Sequence, residues 1–101
     1  MTGSAPGPPG YHLRLFVAGN TPRSQRTIVN LRRLCNERLG SVALEIVDIY
    51  QQPELAVQDQ VVAAPTLVKL APAPLRRIIG DLSDEPRVLR GLDLLADADA
   101  R

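Results

Sequence analysis

A single cysteine, Cys35, excludes an internal disulfide and cannot supply a thiolate metal cluster. Tryptophan is absent, and one phenylalanine and two tyrosines bring the aromatics to only 3%. Apolar residues nevertheless make up 45% of the 101-residue chain, so its core is aliphatic, built from Leu, Ile and Val. The formal net charge is +1. Neither the basic excess nor the stacking aromatics that nucleic-acid binding draws on are present. No apolar run approaches the roughly 20 residues of a membrane span. The first ten residues lack the charged-then-apolar layout of a secretory leader. These absences predict a cytoplasmic chain with no cofactor, no nucleic-acid partner and no membrane anchor.

Catalytic constellations are missing as well. His12 is the only histidine, and alone it has no partners for a metal site or a nucleophilic triad. The stretch Gly19-Asn20-Thr21-Pro22 has the wrong spacing for a phosphate loop and no Lys-Ser/Thr pair. Asp48 would invite an acid/base role at the end of a strand, but it reads better as a carboxylate capping nearby N–H groups. The chain is not expected to be an enzyme.

What is present is a regular alternation of elements. Residues 1–10 hold three prolines and three glycines and read as a disordered leader. Residues 11–18 form a strand by period two, with Tyr11, Leu13, Leu15 and Val17 on one face and His12, Arg14 and Phe16 on the other. Thr21-Pro22 is a helix start, since Thr can accept a bond from a free N–H and proline at the first position forfeits none. Ile28, Leu31, Leu34, Cys35 and Leu39 continue as an apolar stripe at helical spacing, and Gly40 ends it. Cys35, on that stripe, is a packing residue. A second strand over 42–49 carries apolar residues on both parities, which suits burial on both faces. Strand, helix, strand is a βαβ unit, normally right-handed and parallel. A redox enzyme of thioredoxin type would need cysteines at the start of the first helix. Thr21-Pro22-Arg23-Ser24 stands there instead.

The second half is less uniform. Gln52-Pro53-Glu54 opens a short helix to about residue 60, and strands are predicted over 66–70 and 76–80. Ser83 caps a final helix whose apolar face is Val88, Leu89, Leu92 and Leu95. Residues 11–96 thus form one α/β domain, followed by a frayed tail over 97–101. The order βαβ, short helix, ββα is thioredoxin-like. Two signals conflict with it: Pro65 interrupts an apolar run, and Gly91 sits inside a helix at a cost of roughly 1 kcal/mol relative to alanine. Such conflicts can mark a functional site or a second accessible structure. Arg76-Arg77 with Asp81 reads equally as a guarded strand edge or a docking surface. The five arginines of the first helix are either its wet face or a site for an acidic partner.

Four blocks resemble the KaiB family, in the correct order from about residue 11 to 95. LFVAGNTP from Leu15 to Pro22 is similar to its opening signature, and Ala64-Pro65-Thr66-Leu67 to its central proline segment. RRIIGDLS from Arg76 to Ser83 and VLRGLDLL from Val88 to Leu95 are similar to its closing blocks. The resemblance implies a clock adaptor that binds the ATPase KaiC and times its phosphorylation cycle. It further implies self-association, as a dimer or tetramer, in a resting form whose second half is arranged differently. The resemblance implies too that a monomeric thioredoxin-like form, with a cis peptide before Pro65, docks on KaiC. Tyr11, Pro65, Pro72, Pro74, Gly91 and Asp93 are the fold-switch positions implied.

The KaiC-contacting positions implied by the resemblance are Arg26, Ala43, Glu45, Gln60 and Lys69. Arg26, Ala43 and Lys69 match the family there, whereas Glu45 and Gln60 stand where lysines are usual. The proline run after the Pro65 strand is shortened to Pro72-Ala73-Pro74. These departures suggest a divergent branch and leave a KaiA partnership open. The competing reading is a KaiB-like sensor module of a clock-output histidine kinase that stays thioredoxin-like.

Overall fold

A computed structural model describes residues 10–40 and 42–92. Four strands, β1 (Tyr11–Val17), β2 (Val42–Asp48), β3 (Thr66–Ala71) and β4 (Arg76–Ile79), form one sheet in the order β2-β1-β3-β4. β1 and β2 are parallel; β3 and β4 add antiparallel. Helix α1 (Pro22–Leu34) completes the βαβ first half, α2 (Pro53–Gln58) is the short connecting helix, and α3 (Glu85–Gly91) completes the predicted ββα second half. Apart from Gly10, the expected leader over 1–10 and the tail over 97–101 lie outside the described residues, as does Asp93.

The period-two pattern of β1 sorts two cores onto opposite faces of the sheet. Leu13, Leu15 and Val17 join Leu31, Leu34 and Cys35 of α1 and Val88, Leu89 and Leu92 of the α3 segment in the larger core. Phe16 joins Val47 and Val68 in a smaller core under α2, with Leu55 and Ala56 packed against it. β2 serves both, as its mixed parity predicts: Val42, Leu44 and Ile46 face the first core, Val47 the second. Buried Thr27 and Ser24 extend the α1 stripe, which the apolar spacing alone does not show. Thr27 is accommodated because its hydroxyl donates to the Arg23 carbonyl at 2.8 Å.

Helix boundaries follow the local chemistry. Thr21 caps α1, its Oγ1 accepting from the Ser24 N–H at 3.1 Å, with Pro22 in the first turn. The helix continues as a π-helical turn over Cys35–Leu39 and stops at Gly40, whose φ of +77° favours glycine. The cap of α3 differs from the expectation: it is Asp84, which accepts from the Arg87 N–H, and not Ser83. The Ser83 hydroxyl as well as its N–H, the latter at 3.1 Å, turns back to the Asp81 carboxylate, and Leu82 turns through φ +65°, so the chain enters the helix one residue later. The peptides before Pro65, Pro72 and Pro74 are cis.

Gly91 has a packing reason that its helix propensity conceals. A Cβ there would lie 2.7 Å from Ile78 Cδ1 and 2.8 Å from Cγ1, so α3 rests almost directly on β4. The close approach opposes the roughly 1 kcal/mol that alanine would gain in helix propensity. Gly91→Ala is therefore expected to be more favourable in an Ile78→Val background, where Cδ1 is gone, than in the wild type. Urea unfolding of both single variants and the double variant measures that coupling; strict additivity would show the approach to be irrelevant.

Candidate functional site: a charged sheet face beside helix α2

The strand register sets Glu45 of β2 beside Arg14 of β1, Arg14 beside Val68 of β3, and Val68 beside Arg77 of β4. These four side chains share the face on which α2 packs, because Val68 belongs to the smaller core. Beyond the end of α2, Asp59 and Gln60 reach this row. Arg14 Nη1 donates to Asp59 Oδ2 at 2.8 Å, and its Nε and Nη2 donate to Glu45 Oε1 at 3.1 and 3.0 Å. His12 Nε2 lies 3.0 Å from the same Glu45 oxygen. Arg77 donates to the Asp59 carbonyl at 3.0 Å and to Gln60 Oε1 at 3.3 Å. One guanidinium thus spans two carboxylates from different elements, while a second holds the loop backbone.

The charges are tuned accordingly. Burial opposes the charge on Arg14, but Asp59 and Glu45 outweigh it and raise its pKa. The hydrogen bonds of His12 and then Arg14 hold the Glu45 carboxyl below its ordinary range. A depressed carboxyl pKa contributes stability above the unfolded value of 4.5 and loses it as pH falls through the lower folded value. Glu45 is about half exposed, so salt screens that contribution. Below about pH 4.5, thermal stability should therefore fall more steeply in wild type than in Glu45→Gln at low ionic strength. Parallel acid profiles of the two would contradict this.

Three of the five anticipated contact positions meet here. Exposed Ala43 lies opposite His12 in the β2–β1 register, two residues from Glu45, and Gln60 closes the row near Arg77. The other two lie elsewhere. Arg26 is exposed on α1, which covers the opposite face of the sheet. Lys69 is buried, with 1% exposure, on β3, where its neighbour Leu67 joins the larger core. Arg77 entered the sequence reading only as one half of a charged pair that was either a guarded edge or a docking surface, and Arg14 and Asp59 were not singled out as partner contacts; a charged residue beside Phe16 on the inner strand was the available signal.

The remaining candidates resolve into structure. Asp48 Oδ1 accepts from the N–H groups of Gly19 and Tyr50 at 3.2 and 2.9 Å, the capping role expected of it. Cys35 is buried, and desolvation pushes its thiol pKa up despite nearby Arg32. Tyr11 donates from its hydroxyl to the Leu92 carbonyl at 3.2 Å, tying β1 to the end of α3. No group of three or more His, Cys, Asp or Glu among the described residues is placed to hold a metal ion. Among them no helix is long and apolar enough to cross a membrane.

The family model of the KaiB domain matches residues 14–94. The chain belongs to the KaiB family. Circadian clock oscillator protein KaiB of Prochlorococcus marinus strain MIT 9312 is 54% identical over 88 residues, covering 86% of this chain and 84% of the relative. Its namesake in Synechococcus sp. strain RCC307 is 56% identical over 86 residues, covering 84% and 78%. These relatives are named as clock components, not as enzymes. Among solved structures, the N-terminal domain of Synechococcus elongatus SasA superimposes with a TM-score of 0.68 at 26% identity, covering 89% of this chain and 93% of that domain. Yeast mitochondrial thioredoxin 3 gives 0.67 at 21% identity, covering 82% and 76%, a likeness of fold alone. This KaiB-family chain is thus thioredoxin-like in both halves, with a role in the circadian clock.

Proposed function

We propose that this chain is a KaiB-type clock adaptor that binds the KaiC ATPase and modulates its phosphorylation and ATPase cycle. The thioredoxin-like monomer is the binding form, and it exchanges with an oligomeric resting form through rearrangement of the second half. The observation that carries this reading is the gathering of Ala43, Glu45 and Gln60 on one face, Ala43 by the β2–β1 register and the other two by bonds to Arg14 of β1 and Arg77 of β4. Because β2 is an edge strand, a partner seated on that face can reach round the edge to α1 and Arg26. Lys69 contributes from beneath the surface, through its strand. Tyr11, Pro65, Pro72, Pro74, Gly91 and Asp93 are the positions proposed to govern exchange; the Tyr11–Leu92 bond is a link of the binding form between the two halves. The cytoplasm is the proposed location. A KaiA partnership is open to the same binding assay.

Co-elution with purified cyanobacterial KaiC on a sizing column tests the reading. A complex, together with a free chain larger than its 11.0 kDa monomer, is expected. A chain that ignores KaiC would contradict the adaptor reading, and a chain that stays monomeric would instead favour the sensor-module reading, which the likeness to the SasA domain supports.

A further inference from the structure

Arg14 occupies an unusual place in the charged face. Its side chain is only 16% exposed, and Asp59 beneath the loop only 11%, while Glu45 is 46% exposed. A partner therefore meets Glu45, Ala43 and Gln60, and hardly touches Arg14. Yet all three nitrogens of its guanidinium donate, two to Glu45 and one to Asp59. A lysine ammonium has no such planar fork and cannot hold two carboxylates in one geometry.

The loop it holds is the stop of α2. Gln60 adopts φ +59°, the left-handed residue of that helix end and a conformation uncommon for a residue with a Cβ. The turn is closed by the Gln60 N–H on the Val57 carbonyl at 3.0 Å and the Val61 N–H on the Ala56 carbonyl at 2.8 Å, and it is tied to the sheet by Arg14 on Asp59 and by Arg77 on the Asp59 carbonyl and Gln60 side chain. β1 and β4 flank β3, so the two arginines grip the loop from either side of Val68.

We propose that Arg14 is the positioning residue of the partner-binding face, orienting Glu45 from β2 and the Asp59–Gln60 loop as one preformed surface. The proposal rests on the KaiC-binding reading and makes the guanidinium, not merely positive charge, the requirement. Arg14 acts through Glu45 and Gln60, so its loss uncouples them from the partner without removing either.

The test uses the full chain with Arg14→Lys and Asp59→Asn, each alone and combined with Gln60→Ala. KaiC affinity is measured for all, with 15N heteronuclear NOEs of residues 59–61 in the free chain. Arg14→Lys is expected to weaken KaiC binding about tenfold while the thioredoxin-like amide spectrum persists. Gln60→Ala should cost severalfold in wild type and almost nothing once Arg14 is lysine, and the Gln60 NOE should fall in both Arg14→Lys and Asp59→Asn. Wild-type affinity in Arg14→Lys, or an equal effect of Gln60→Ala in both backgrounds, overturns the proposal. Should the wild type itself not bind KaiC, the functional reading fails separately. The NOEs then decide: a fall at Gln60 supports positioning by Arg14, and unchanged values overturn it.

Discussion

Replacing Phe16 by alanine is expected to remove about 3–5 kcal/mol of stability and to loosen the α2 layer first. Phe16 is fully buried, yet its core holds only two other buried residues, Val47 and Val68. A cavity there has little around it that can close in, because α2 is six residues long and contributes only partly buried Leu55 and Ala56. Domains of this size hold about 5–15 kcal/mol in total, so the loss is a large share. The adjacent Leu15, also fully buried, points into the larger core on the other face. Leu15→Ala should cost about 2–5 kcal/mol and should leave the amides of α2 as protected as the rest. Urea unfolding with native-state hydrogen exchange separates the two. A Phe16→Ala chain that keeps α2 protection equal to that of α1 would show that the small core does not hold the helix.

Ala43→Asp carries the largest effect expected on binding. Ala43 is exposed on the edge strand, directly across from His12 and on the same face as Glu45. An aspartate buried there against a partner would lie beside an existing carboxylate without a cation of its own, since Arg14 is already shared between Glu45 and Asp59. Burying such a charge at an interface costs about 2 kcal/mol or more, roughly thirtyfold in affinity. Fold stability should hardly change, because the side chain is solvent-facing in the free chain. Calorimetric titration against KaiC, with Arg26→Glu as the comparison on the α1 side, checks this. Unchanged affinity in Ala43→Asp would place the interface elsewhere.

Local chemistry made much of the fold legible. Thr21-Pro22 and Gly40 bound the first helical segment, the alternation of β1 names both cores, and the mixed parity of β2 shows its double burial. The features that escaped depend on contacts distant in sequence. Gly91 reads as a weak point until Ile78 is seen beneath it, thirteen residues earlier on another element. The resemblance offers Lys69 as a contact position, and nothing local tells that β3 is an inner strand on which it is buried. Ser83 reads as a cap because nothing in composition shows that its hydroxyl and N–H both turn back to Asp81. For the site, Ala43, Glu45 and Gln60 came from the family resemblance. The Arg14–Asp59 pair that unites them joins residues 45 apart, through a register that periodicity does not specify.

The central claim is that KaiC docks on the face containing Ala43, Glu45 and Gln60 while the chain is thioredoxin-like. Its most direct test is titration of unlabelled KaiC into 15N-labelled chain, reading which amides broaden first. Early loss over 42–47 and 59–61, with later or weaker loss over the β3–β4 turn at 72–75, is the predicted pattern. Loss confined to the β3–β4 turn, or a spectrum untouched by excess KaiC, would contradict it.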